Sequence, residues 1–500
     1  MSSSTTRAPR RARAAALPIV AVLASALLLA GCASSRGLAP QLVATDADTL
    51  ATSRSLGGDA LSAADFPRAD WWTAFADPQL DALIDEALRD SPSLAAADAR
   101  ARSARAQAGL ADAQRNPTLG ASARVSGVQL PATIAPEPLG GDFKASNVLL
   151  LNFAWAPDLW GGQRATFEAA AGQARAAEVE AQAARLTLSA NVARTYIALA
   201  QAFDTQDVAA REQARASRLR DLAAQRVDAG LDNQLQLRNA DASIAIARQQ
   251  AQAAQQQIDA LRNALAALLG KGPDRGLDIA RPPLLQAAAP TVPAVLPSEL
   301  LGHRPDVVAA RWRVEAASRG VDAAQAAFRP SVNLSALVGL AAGNLSDLFG
   351  SDAVLGLGGP AISLPIFDGG RLRAGLSQRD ADYDLAVASY NQTLVTSLRE
   401  LTDALQSARA FDAQIATVGD ATEAARQAFA LADTRYQAGL GNQLDVLAAQ
   451  RPLFQLEQQL AALRAQRLGA AVDLDRALGG GLAPTAPTSS MQTHAGTITP

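Results

Sequence analysis

Few residues in this chain could do covalent or metal chemistry. Its 500 residues include one Cys, Cys32, and two His, His303 and His494. A single thiol excludes a disulfide framework and a multi-Cys zinc or iron–sulfur site. Two His cannot build a multi-His metal centre. There is no phosphate-binding glycine loop and no Ser/His/Asp set in local context, so the chain does not read as an enzyme. Gly140-Gly141-Asp142-Phe143 matches part of a cyclase signature, but the next acid and an α/β surrounding are missing. It reads as a hairpin loop between two strands.

Cys32 itself has a telling context. Arg7, Arg10, Arg11 and Arg13 form a charged segment without acids, and an apolar stretch over 14–30 follows, as in a secretory signal. The stretch ends in Leu29-Ala30-Gly31-Cys32, which resembles a bacterial lipoprotein box. The resemblance implies that the thiol takes a diacylglyceryl group, that 1–31 is cleaved, and that the new amine is acylated. Ala33 rather than Asp follows the Cys, which in lipoproteins implies the outer membrane. That covalent lipid is the only cofactor expected. Loss of the four arginines takes the net charge from −3 to −7. An acidic chain without a basic cluster is a poor nucleic-acid binder. No second stretch of about 20 apolar residues exists, so no helix of the mature chain spans a bilayer. Any spanning falls to strands.

The elements that carry the remaining motifs come in two copies. Arg226-Val227-Asp228-Ala229-Gly230-Leu231-Asp232-Asn233-Gln234-Leu235 matches Arg435-Tyr436-Gln437-Ala438-Gly439-Leu440-Gly441-Asn442-Gln443-Leu444 at an offset of 209. Leu269-Gly270 matches Leu478-Gly479 at the same offset, and Gly161-Gly162 matches Gly369-Gly370 at 208. The expected organisation is a signal peptide over 1–31, a polar leader segment over 32–79, one unit over 80–275, a linker over 276–297, a second unit over 298–480, and a disordered tail over 481–500. Each unit starts with a helix (92–115; 305–328) that ends at Asn116-Pro117 or Arg329-Pro330. Strand candidates follow over 118–129 and 146–156, and over 331–341 and 353–364. Then come a very long helix (163–228; 370–437), a tight turn and a second long helix (234–269; 443–478). A helix of 66 residues is about 100 Å long, which a globular domain does not need. Coiled coil or spacer is the expectation.

At both turns, Gly230 and Gly439 stand where a left-handed cap belongs. Asn233 and Asn442 stand at N-caps, with Gln236 and Asp445 three residues on, as in a capping box. The strand candidates alternate. Leu119, Ala121, Ala123 and Val125 share one face, as do Leu149, Leu151, Phe153 and Trp155, and Val332, Leu334, Ala336 and Val338. The fourth candidate is Gly-rich, alternates poorly and rests on repeat symmetry. Such strands fit a membrane barrel, apolar outside and polar inside. Four strands cannot close one. An open edge in lipid leaves N–H and C=O groups unpaired at several kcal/mol each. The chain must share a barrel with other copies, or keep its strands out of lipid as soluble hairpins.

These residues resemble the TolC-like outer-membrane efflux channels, specifically the lipoprotein branch called the NodT family. The resemblance covers about 70–480. It is carried by Trp71-Trp72-x-x-Phe75-x-Asp77-Pro78-x-Leu80, Leu301-Gly302-His303-Arg304-Pro305-Asp306, Leu364-Pro365-Ile366-Phe367-Asp368-Gly369-Gly370, and Tyr436-x-x-Gly439-Leu440-x-Asn442 through Ala449-Gln450-Arg451. It implies a mainly α fold with a small β part. Three copies would form a twelve-stranded β-barrel over a long α-helical coiled-coil barrel. It also implies an exit duct for drugs or other toxic small molecules, served by a periplasmic membrane-fusion adaptor and an inner-membrane RND-type pump. The tips Gly230, Leu231, Asn233, Gly439, Leu440 and Asn442 would contact the adaptor. Leu444, Asp445 and Arg451 would form the periplasmic gate, although Ala448 stands where related channels often carry an acid. Trp71, Trp72 and Phe75 look like packing anchors, and Trp155 and Trp160 fall where an aromatic girdle sits. Two other readings stay open: an exit duct of the type I secretion kind, and a non-conducting structural lipoprotein that spans the periplasm.

Overall fold

A computed structural model describes residues 34–51, 54–55, 61–62, 66–131, 133–134, 141–283, 292–293, 299 and 302–481. The signal segment, Cys32 and all but the first residue of the expected tail lie outside these. The main elements are α1 (Pro78–Asp90), α2 (Pro92–Ala113), β1 (Thr118–Gln129), β2 (Phe143–Trp155), α3 (Gly162–Asp228) and α4 (Gln234–Leu268). They continue with α5 (Pro305–Ala326), β3 (Ser331–Ala342), β4 (Val354–Ser363), α6 (Arg371–Gln437) and α7 (Gln443–Ala477). The fold is thus mainly helical with a small β part.

The helix α1 is an addition to the sequence reading, which placed residues up to 79 in a leader. Its start is written in Asp77-Pro78. The Asp77 carboxylate accepts from the Gln79 and Leu80 amides, and the Pro occupies the first turn, where its missing N–H costs nothing. Short elements lie at and within the expected linker. Asp274–Leu277 forms one helical turn, and Val292–Pro293 pairs in parallel with Leu61–Ser62.

Compact units do not follow the tandem repeat; each draws on both copies. One comprises the described residues of 34–43, 102–175 and 312–389. It holds a four-stranded antiparallel sheet in the order β1-β2-β3-β4. The fourth strand forms despite its glycines because Leu340↔Val354 through Ser331↔Ser363 pair in continuous register. Pro360 is tolerated because β4 is an edge strand. The register puts Leu119, Leu151, Val338 and the even-numbered residues of β4 on one face. The other face carries Ser122, Asn152, Ser335 and their neighbours. Most strand residues are exposed on both faces, and neither edge is paired within the chain. Asp158 and Asp368 start the two 67-residue helices in the same way, their carboxylates accepting from the Arg164 and Leu372 amides. Small residues let α3 and α5 approach closely: a Cβ on Gly172 would lie 3.0 Å from that of Ala316.

The second unit comprises the described residues of 44–101, 176–311 and 390–481. Its core is built on Trp71, Trp72, Phe75, Leu80, Tyr196 and Ile258 with their neighbours. The sequence-expected anchors are therefore buried. Tyr196 donates to Asp77 at 2.7 Å and accepts from Gln79, which ties the α1 cap to α3. The Arg304 of the His-Arg-Pro-Asp motif is 5% exposed. It binds Asp306 and Glu400 and donates to the Ala477 carbonyl, capping α7. His303 stacks on Phe66.

Candidate functional site

The helical hairpins end in matching turns. After α3, the Gly230 amide bonds the Val227 carbonyl and the Leu231 amide bonds that of Arg226; after α6, Gly439 and Leu440 do the same to Tyr436 and Arg435. This is the Schellman pattern, and it requires the positive φ of Gly230 (71°) and Gly439 (74°). The next helices open on Asn233 and Asn442, each in a reciprocal capping box with Gln236 or Asp445. Leu231 and Leu440 are left at the tips, 67% and 72% exposed. No water-soluble hairpin needs two bare leucines at its apex, so the tips are suited to contact.

Along the first turns of α7, Leu444, Asp445, Ala448 and Arg451 are all exposed and lie at helical spacing. Asp445 is occupied as a cap: its carboxylate accepts from the Asn442 amide. The structure thus brings the tip residues and the expected gate residues to one end of the hairpins.

It also brings together residues that sequence reasoning missed. One oxygen of Asp232, in the first turn, accepts from Arg226 Nε at 2.8 Å and from Tyr436 Oη at 2.9 Å. Arg226 lies over the Tyr436 ring at 4.8 Å. Tyr436 is fully buried among Leu219 and Val446. Burial, with Asp232 beside it, pushes the phenol up to about 12, so it stays a donor. Gln443 adds a bond to the Gln236 carbonyl. The two hairpins are latched at their tips by side chains 204 residues apart. The signal in the sequence was the repeat's asymmetry. Tyr436 and Asp232 stand where the other copy has Val227 and Gly441.

A second clamp lies further along. Arg215 binds Glu212 and Glu457 at 3.0 Å each, and Gln450 donates to Glu212 at 2.6 Å. All four side chains are buried or nearly so, which makes them a costly group to leave half-paired. Pro452 sits inside α7 between the clamp residues Gln450 and Glu457. It has no N–H, so the Ala448 carbonyl has no helical donor. At the repeat-equivalent position in α4, the Ser243 hydroxyl bonds the Asn239 carbonyl at 3.0 Å.

Near the strands, Trp155 and Trp160 donate to the carbonyls of Arg115 and Pro330 while 39% and 46% exposed. Anchored and half-exposed rings suit a membrane surface. The segment after Cys32 is held to α6: Arg373 donates to the carbonyls of Ser34 and Arg36, and Asp384 accepts from the Gln41 and Leu42 amides. Among the described residues, no helix is long and apolar enough to cross a membrane, and no cluster of His, Cys and acids suits a metal.

Comparison with known proteins adds the family. The model for outer membrane efflux proteins matches residues 83–271 and 296–480. The fusaric acid resistance protein FusA of Burkholderia cepacia is 37% identical over 72% of this chain and 69% of its own length. The multidrug resistance outer membrane protein MdtP of Escherichia coli K12 is 32% identical over 84% of this chain and 88% of its own. The solved structure of the outer membrane protein VceC of Vibrio cholerae superposes with a TM-score of 0.79 at 38% identity, covering 84% of this chain and all of that one.

Proposed function

This chain belongs to the outer membrane efflux protein family, and from that premise we propose that it is the outer-membrane exit duct of a tripartite efflux pump. One observation carries the reading: a sheet with two unpaired edges and an apolar face, joined to helices of 67 residues. Three copies pairing β1 of one to β4 of the next would give twelve strands, close the sheet and remove every edge. The apolar face would then meet lipid and the polar face would line the passage. The long helices would carry the passage into the periplasm.

The exposed Leu231 and Leu440 on their rigid Gly and Asn caps make the tips the docking ground for a periplasmic adaptor, which would hand over from an inner-membrane RND-type pump. The face of Leu444, Ala448 and Arg451 would form the periplasmic constriction, with Asp445 held back as a cap. Cys32 would carry the acyl anchor, and the contacts of Arg373 and Asp384 would fix the segment behind it. The names of the relatives speak of fusaric acid and of multidrug resistance. Family membership therefore sets the route rather than the cargo.

The test is reconstitution: purified protein in planar bilayers should conduct ions, and a strain lacking the gene should gain susceptibility to toxic small molecules. A protein that never conducts would refute the duct. Gly439→Asp should abolish co-purification with the adaptor while leaving trimers intact, because a side chain is strained at that φ and a charge replaces an apolar tip. Normal efflux in that variant would count against tip docking.

A further inference from the structure

The polar face of the sheet is interrupted by four leucines. Leu150 and Leu355 pair with Gly339 from either side, and Leu337 pairs with Leu357 one step along the same face. Neighbouring strands are about 4.8 Å apart and a two-residue step is about 6.8 Å, so the four leucines, with Asn152 at the remaining corner, span a patch roughly 10 Å by 7 Å. Its floor is Gly339, which has no side chain and could carry none: a Cβ there would fall 2.0 Å from the Leu149 carbonyl oxygen. Leu355 and Leu357 are 42% and 72% exposed. Leu150 and Leu337 are half-buried, and the rest of the face is mostly Ser, Asn, Thr, Gly and Ala with Val128 and Val148.

Charge is distributed with the same bias. The four strands contain no Asp or Glu, and their only charged residues are Arg124 and Lys144. Both lie on the leucine-bearing face, since Arg124 pairs with Val148 and Lys144 with Val128. Val148 is the next residue on that face after Leu150, which sets Arg124 diagonally beside the patch, within about 8 Å between Cβ atoms. The acids of the described loops lie beyond the strand ends, Asp142, Asp347 and Asp352 at one end and Asp158 and Asp368 at the other. An apolar floor edged by an exposed guanidinium is complementary to one kind of molecule.

We propose that this patch is a selection site for amphipathic organic anions, molecules with an apolar or aromatic body and one carboxylate or sulfonate. The inference rests on the duct reading, which turns this face to the lumen. The body covers Gly339 within the leucines, and the acid group takes the planar, forked donors of Arg124. Lys144 adds to the positive field above it. A cation of the same shape gains the leucines and is repelled by both charges.

The test uses the full-length protein in planar bilayers. The first arm measures reversal potential in a KCl gradient. The second compares current block by 1-naphthalenesulfonate with block by 1-naphthylmethylammonium. The wild type should be blocked more strongly by the sulfonate. Arg124→Ser with Lys144→Ser should shift the reversal potential toward cations and weaken sulfonate block about fivefold, the size of one exposed ion contact. Leu337→Asn with Leu357→Asn should weaken the block and leave the reversal potential unchanged. Equal block by the two probes in the wild type, or no shift in the charge variant, overturns the selection site while leaving a conducting duct. Absence of any conductance overturns the duct and the site together.

Discussion

Asp232 accepts two hydrogen bonds on one oxygen, and both donors are worth different amounts. Tyr436→Phe removes the bond that joins the two hairpins but leaves Asp232 paired with Arg226. The expected cost is about 1 kcal/mol, seen as a small fall in unfolding midpoint and a larger rise in single-channel conductance. Unchanged conductance would mean the latch is not part of the gate. Asp475, in α7, gives a pH signature. Burial pushes its carboxyl up from 3.8 to about 7. The folded state therefore favours the neutral acid, and its stabilisation is full below about pH 4 and lost as pH rises through 7. Asp475→Asn should be more stable than wild type at pH 8, by up to about 4 kcal/mol, with the advantage gone near pH 4. Thermal melts across that range check it; an advantage independent of pH would contradict the assignment.

At the scale of elements, α7 carries its own weak point. Pro452, itself exposed, leaves the Ala448 carbonyl without a helical donor within the span of the clamp. Pro452→Ala should restore that bond and stiffen the helix, with up to about 3 kcal/mol available. We expect slower opening in current records together with a raised melting temperature. Faster opening would show that the proline is not a flexure. Elements of this kind were largely legible in the sequence. Gly-Leu-x-Asn turns, period-2 strands and the absence of Pro over 66 residues are local signals, whereas the Gly-rich fourth strand was legible only through repeat symmetry. The α1 helix was legible too, in Asp77-Pro78, but was absorbed into a motif. The latch and the Arg215 clamp were not legible. Their partners lie more than 200 residues apart, and nothing local marks Tyr436 or Glu457 as buried. The leucine patch was likewise invisible until register set Leu150, Leu337, Leu355 and Leu357 on one face.

For the whole molecule, one deficit organises everything else. Each chain supplies four strands with an apolar face and two open edges, and among the described residues no helix is long and apolar enough to cross the bilayer in their place. Hydrocarbon does not tolerate an open edge, so the strands are complete only in company. The direct measurement is the mass of the protein released intact from lipid, by native mass spectrometry of the reconstituted, unmodified chain. The account predicts three chain masses, with no stable monomer until the assembly is denatured. A single chain mass from intact bilayers would contradict it.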